Sequence, residues 1–154
     1  MNIVININMY NSIWYDSLIK PFLSPPDWIF RLVWIILYFM ILVAFMLFVL
    51  SKKENKKLGY IYFTLQLVLN FLWSPAFFLM QNILLSLVII LLILIFTILT
   101  MKEFYPVSKL AVVLLIPYLL WVIFAAYLNT GYLFLNYWYV FIFFWYSFVK
   151  IIIS

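Results

Sequence analysis

The sequence predicts an all-α, polytopic transmembrane helix bundle, and three observations carry that prediction. First, 71% of the 154 residues are hydrophobic and 8% are charged, whereas an ordinary soluble domain is roughly 45–50% apolar and about 25% charged. A soluble domain of this size buries about two-thirds of its chain surface, so most of these side chains would face water; lipid is the solvent that fits. Second, the apolar residues fall into runs of roughly 20, the length a helix needs to cross a hydrocarbon core of about 30 Å at about 1.5 Å per residue. Third, the charges sit mainly between or at the ends of those runs. The length allows one domain, 1–154.

The elements follow in order. Met1–Ile13 alternates Asn with aliphatic residues and is too short and polar to span a bilayer or to be a signal peptide, so it reads as an interfacial arm. The segment Trp14–Arg31, WYDSLIKPFLSPPDWIFR, contains three prolines, each of which fixes φ and biases its predecessor toward extended backbone. Residues 14–27 are therefore expected as a stiff, non-helical lid over the bundle mouth, built on Pro21, Pro25, Pro26 and Trp28, with Asp27 capping the first span. The spans are 28–50, where Arg31 can snorkel to the interface; 58–80, without charge; 83–101, almost pure Ile, Leu, Val and Phe and read as a lipid-facing wall; and 110–129, without charge. After a turn at Asn129–Gly131, the aromatic run 133–153 is either a further span or an interfacial tail, which makes about five spans.

Cysteine and histidine are absent. That removes disulfides, thiolate nucleophiles, imidazole bases and the common zinc and haem ligands, so no metal site is expected and no cofactor is required. Nine basic residues against four acidic ones give a net charge of +5. Scattered between apolar runs, they read as a topology signal rather than a nucleic-acid surface; no nucleic-acid partner is expected, and the lipid bilayer is. Lys52, Lys53, Lys56 and Lys57, with Glu54, occupy one loop, and Lys102 and Lys109 flank another two crossings later. The positive-inside rule puts both loops, 51–57 and 102–109, in the cytoplasm.

Polar side chains within spans need a partner, a cavity or a ligand. Gln66, Asn70 and Trp73 share a helix face, as do Tyr118, Trp121, Ala125 and Asn129, and Trp34 with Tyr38. Together these stripes would line an interior of indole and phenol rings with a few amides, suited to a flat apolar ligand with polar edges. The same amides also suit plain interhelical hydrogen bonding, and Gln66 and Asn70 taken alone favour it. Trp14, Trp138 and Trp145 read as interfacial anchors, and Pro75 and Pro117 as kinks.

In order and spacing, WYDSLIKP, PPDWIFRLVWIILY, QLVLNFLWSPAFF and PYLLWVIFAAYLN resemble the TspO/MBR family, the tryptophan-rich sensory and translocator proteins, over Trp14–Asn129. The resemblance implies a five-helix membrane bundle, usually a homodimer, whose interior pocket binds porphyrins, sterols and benzodiazepine-type compounds beneath the first loop. It matches Tyr15, Trp34, Asn70, Trp121 and Ala125 to pocket-lining positions; the helical stripes add Tyr38, Gln66, Trp73 and Tyr118 to the expected ligand-binding set. Three departures stand out. The family has a full span ahead of the Trp-Tyr element where this chain has Met1–Ile13, so the first helix is expected to be shortened. The family usually stops soon after a Leu-Asn pair, matched by Leu135–Asn136, where this chain continues. Leu23 stands where members often carry Trp.

The expected function is an integral, multi-pass receptor or carrier of a bacterial cell membrane, with a porphyrin or a sterol-like planar molecule as ligand. One alternative is light-dependent porphyrin breakdown, with Trp34 and Trp121 as electron donors in place of conventional catalytic residues. Another is a structural or regulatory protein acting through helix–helix contacts, without a Gly-x-x-x-Gly motif. Asp16 and Asp27 are the only carboxylate pair near the presumed pocket, and loop acids of this kind are commonly solvated or capping. Val140, Tyr146 and Lys150 fit a loose sterol-contact pattern that an aromatic-rich tail matches by chance.

Overall fold

Among the described residues, four long helices carry the fold: α1 (Asp27–Leu50), α2 (Lys57–Ser74), α3 (Ile83–Phe104) and α4 (Lys109–Ile153), with a π-helical turn, Pro75–Leu79, continuing α2. The computed structural model describes residues 13–52 and 56–153, without the side chains of Asp27 and of most residues from 139 onward. Among the described residues, four segments are long and apolar enough to cross a membrane: Trp28–Leu50, Lys57–Leu79, Ile83–Phe104 and Lys109–Trp138. The interfacial arm and the shortened first helix fall in 1–12, outside the described residues, as do Lys53 and Glu54 of the charged loop and the side chains of Val140, Tyr146 and Lys150.

Each helix turns one narrow seam inward. The buried positions are 37, 41, 44 and 48 in α1; 59, 63, 66 and 70 in α2; 83, 86, 90, 93, 97, 100 and 104 in α3; and 111, 115, 118, 122, 125, 128, 129 and 132 in α4. Steps of three and four residues are the spacing of helices packed side by side with knobs in holes. The α3 helix packs between α2 and α4, and α1 packs on α4; α1 meets α2 through ring pairs such as Phe45–Phe63, stacked at 4.2 Å. Phe48 stacks on Phe104 at 4.0 Å and meets Tyr60 edge-on at 5.4 Å, so the ends of α1 and α3 and the start of α2 close together. Lys56 helps there by donating to the Val49 and Ser51 carbonyls at 2.9 and 2.5 Å, groups left over at the end of α1.

Local signals set the other boundaries. Asn82 caps α3, its Oδ1 accepting the Leu85 N–H at 2.9 Å, and Ser108 Oγ accepts the Ala111 N–H at 3.2 Å at the start of α4. Pro75 opens the π turn, in which Met80 N–H donates to the Pro75 carbonyl at 2.9 Å. Gln81 then takes a positive φ of 52°, and the Asn82 N–H reaches the Ala76 carbonyl at 3.1 Å, a helix ending of the left-handed type.

Three expectations change. Residues 13–17 are helical, so the non-helical lid begins only after Ser17, where no proline yet constrains the backbone. The α1 helix starts at Asp27 with Pro26 at the cap position and no side-chain cap bond there; the cap expected of Asp27 falls on a side chain outside the described ones. The turn expected at Asn129–Gly131 is absent, and α4 runs unbroken through it for 45 residues. The run 133–153 is thus the continuation of one helix, because the glycine answers a packing need rather than a turn.

Candidate functional site

At the end opposite the Phe48–Phe104 stack, the helices and the 18–26 segment enclose a cavity of about 820 Å³. Four elements build it. From α1 come Phe30, Arg31, Trp34 and Tyr38, one face at helical spacing; from α2, Asn70 and Trp73; from the π turn, Phe77 and Phe78; and from α4, Ala125, Leu128, Asn129 and Tyr132. Tyr15, Ser24 and Pro25 complete the mouth. The π turn matters here, because its wider winding lets two consecutive phenylalanines contribute to one wall. Eight of the eighteen lining residues are aromatic, so the walls are flat and apolar and suit a planar guest.

Most of the neutral polar groups along the walls are tied to neighbouring side chains. Tyr38 Oη donates to Asn70 Oδ1 at 2.6 Å, and Asn70 Nδ2 donates to Tyr118 Oη at 2.9 Å. Trp73 Nε1 donates to Asn129 Oδ1 at 3.2 Å, which also accepts from Ser86 Oγ at 2.9 Å; Asn129 Nδ2 donates to the Ile83 carbonyl at 2.9 Å. The Tyr15 and Tyr132 hydroxyls pair at 3.0 Å. In hydrocarbon such closure is required, since water is not there to satisfy a stray donor.

The 18–26 segment is fastened to α4. Asn136 accepts the Ile19 N–H at 2.8 Å and returns a bond to its carbonyl at 3.1 Å, while Tyr127 Oη donates to the Phe22 carbonyl at 2.8 Å. Pro21 lies against Gly131, where an added Cβ would come within 2.7 Å of its ring. Leu23 holds a positive φ of 71° in the turn that follows, closed by Ser24 N–H and Oγ on the Pro21 carbonyl at 3.2 and 2.9 Å.

Of the residues named from sequence, Tyr15, Trp34, Tyr38, Asn70, Trp73 and Ala125 come together on the cavity, with Pro25 of the lid. Gln66, Tyr118 and Trp121 do not line it. Gln66 is turned to α3, where Thr97 Oγ1 donates to its Oε1 at 2.8 Å. Tyr118 lies behind Asn70 as its hydrogen-bond acceptor. Trp121 stands behind Phe30, ring centres 5.5 Å apart, and among the described residues its buried Nε1 has no acceptor. Trp34 and Trp121, paired in the photochemical alternative, are therefore not both at the wall. Pro21 is buried against α4, and Pro26 and Trp28 face outward, Trp28 at 61% exposure. Sequence reasoning missed Phe30, Phe77, Phe78 and Tyr132, which carried no polar signal, and gave Arg31 only a snorkelling role. The α3 helix contributes nothing to the cavity lining, but it packs between α2 and α4 and buries seven of its positions, so it is a central helix of the bundle rather than the lipid-facing wall its composition suggests. Trp14, expected at the interface, packs edge-on against Phe77 at 5.6 Å.

Comparison with known proteins points one way. A family model described as the TspO/MBR family matches residues 2–135. The chain is 48% identical over 118 residues to the tryptophan-rich protein TspO of Chlorobaculum tepidum, covering 75% of each chain. It is 36% identical over 116 residues to the tryptophan-rich sensory protein of Cereibacter sphaeroides, covering 75% of this chain and 72% of the relative. Against the translocator protein of Homo sapiens the identity is 38% over 121 residues, with 75% and 70% covered.

Proposed function

This chain belongs to the TspO/MBR family, and from that premise we propose that it is an integral membrane receptor or carrier that holds a porphyrin, or a planar apolar molecule of similar size, in the aromatic cavity at the lid end of the bundle. The observation that carries the reading is the cavity: about 820 Å³, walled by Trp34, Tyr38, Trp73, Phe77 and Phe78, within the range of small-molecule sites. Its walls offer ring faces and little unsatisfied polarity, so affinity would come from apolar burial and ring stacking. The names of the relatives, sensory and translocator proteins, agree with a binding role. The lid segment, fastened by a few exposed hydrogen bonds, suits control of entry and release. Ser51, Lys52, Lys56 and Lys57 and the 102–109 segment lie at the opposite end, and this reading puts that end in the cytoplasm of a bacterial cell.

The test is a protoporphyrin titration of the purified protein, followed by porphyrin absorbance as well as tryptophan quenching. Ala125→Phe fills the cavity and Trp34→Ala removes a wall; each is expected to weaken binding tenfold or more, whereas Trp28→Ala, outside the cavity, keeps the wild-type affinity. Equal affinity in all four proteins would place the porphyrin elsewhere.

A further inference from the structure

Among the residues lining the cavity, Arg31 alone is charged. Most of the neutral polar groups beside it are already engaged: Tyr38 with Asn70 at 2.6 Å, Trp73 with Asn129 at 3.2 Å, Tyr15 with Tyr132 at 3.0 Å and Ser24 with the Pro21 carbonyl at 2.9 Å; the Ser74 hydroxyl is the exception among them. A guest's polar edge set against these would trade one hydrogen bond for another and gain little. At Arg31 the position is different. The ion pair found among the described residues is Lys20 with Asp16, at 3.9 Å, and Arg31 has no partner among them. Asp27, one turn earlier on the same helix, is the nearest carboxylate in sequence, and its side chain lies outside the described ones.

Arg31 is exposed near the start of a membrane-spanning helix, where its stem can snorkel to the interface, but it sits near the positive end of α1, where the helix dipole favours an anion rather than a cation. It does lie on the face that carries Trp34 and Tyr38, three and seven residues on. The seven steps to Tyr38 are a rise of about 10 Å, so the cavity has a cationic rim at the lid and a neutral aromatic floor below it.

Building on the receptor reading above, we infer that Arg31 recognises an oxyanion at this rim and makes the cavity select planar amphiphiles that carry a carboxylate at one end over uncharged molecules of the same shape. The planar guanidinium fork matches a carboxylate in two parallel hydrogen bonds. The guest would enter with its apolar body toward Tyr38 and Asn70 and its acid at the mouth. A phosphate of an anionic lipid headgroup offers the same chemistry, so the experiment must separate the two sources.

Protoporphyrin, a dicarboxylate, is compared with its dimethyl ester, which keeps the macrocycle and loses both charges, on the full chain in nanodiscs of zwitterionic lipid. Corrected for partition into empty discs, the wild type is expected to prefer the acid by about tenfold, the scale of one charge-assisted contact. Arg31→Gln abolishes that preference, and Arg31→Lys retains part of it and shows that the charge, not the fold, is at issue. Equal binding of acid and ester by the wild type, or a preference that survives in Arg31→Gln, would overturn the inference. Repeating the comparison with anionic lipid in the discs separates the sources: a preference that persists supports the guest's carboxylate, and one that disappears assigns Arg31 to lipid headgroups and overturns it. Saturable binding of neither molecule would remove the receptor reading itself, an outcome distinct from both molecules binding alike.

Discussion

Asn129, at 1% exposure, joins α2, α3 and α4 through Trp73, Ser86 and the Ile83 carbonyl. Replacing it with leucine would leave the Trp73 indole N–H without its acceptor and take one of two side-chain donors from the Ile83 carbonyl, which keeps Ser86 Oγ at 2.8 Å. Measured interhelical hydrogen bonds in membranes are worth roughly 0.6 to 2 kcal/mol each. Asn129→Leu is therefore expected to destabilise the bundle by about 1–2 kcal/mol, read from unfolding in detergent; a variant as stable as the wild type would show that the network carries no net weight. The sequence placed Asn129 on a face with Ala125, because helical spacing does that. It could not reveal Ser86 as its partner, since Ser86 lies in a run whose composition signals only lipid. Gln66 and Asn70, four residues apart on one seam, also part company: Asn70 reaches the cavity while Gln66 meets Thr97, a division set by how α3 crosses α2.

At the scale of elements, the instructive case is the last helix. Asn129-Thr-Gly131 reads as a turn because glycine costs a helix interior about 1 kcal/mol relative to alanine, yet α4 continues through it. Gly131 is there because Pro21 rests where a Cβ would be, 2.7 Å from the ring, and that neighbour is more than a hundred residues away in sequence. Gly131→Leu is accordingly expected to push the 18–26 segment off α4 and speed porphyrin release several-fold with the helical content unchanged, checked by stopped-flow dissociation and circular dichroism. An unchanged release rate would mean that the segment does not gate the cavity. From sequence the π turn at Pro75–Leu79 reads only as a proline kink; that it presents Phe77 and Phe78 together depends on five-residue backbone bonding that hydropathy does not encode.

The whole molecule has two unlike ends. One is closed by stacked rings, Phe48 on Phe104 at 4.0 Å and Phe45 on Phe63 at 4.2 Å, with the lysine-bearing connections beside it; the other holds the cavity and the lid. The absence of cysteine makes the orientation directly testable, because a single introduced thiol is the only one present. Phe22, 82% exposed in the lid, and Lys52 in the opposite loop are the natural sites. In intact bacterial cells a membrane-impermeant maleimide is expected to label Phe22→Cys at once and Lys52→Cys only after the membrane is opened; the reverse pattern would turn the bundle over.

Composition and run length by themselves determined that this chain is an all-helical membrane protein and roughly where its spans begin, because the cost of exposing polar backbone and charge to hydrocarbon leaves few other solutions; its motifs carried the family resemblance, while the helix at 13–17 and the unbroken course of α4 past Asn129 did not show in the sequence. Composition and run length also located the amides and indoles that a lipid-facing helix does not need. Which side of each helix faces inward was a different matter. In water the apolar stripe marks the core, but here Ile35, Phe39 and Leu42 face outward while Leu37, Ile41 and Ala44 are buried, and all six are apolar. Lipid and protein interior are alike to a side chain, so hydropathy carries no contrast between them; close packing along the three- and four-residue seams decided it, and with it the cavity, the place of Arg31 at the rim and the seat of the lid.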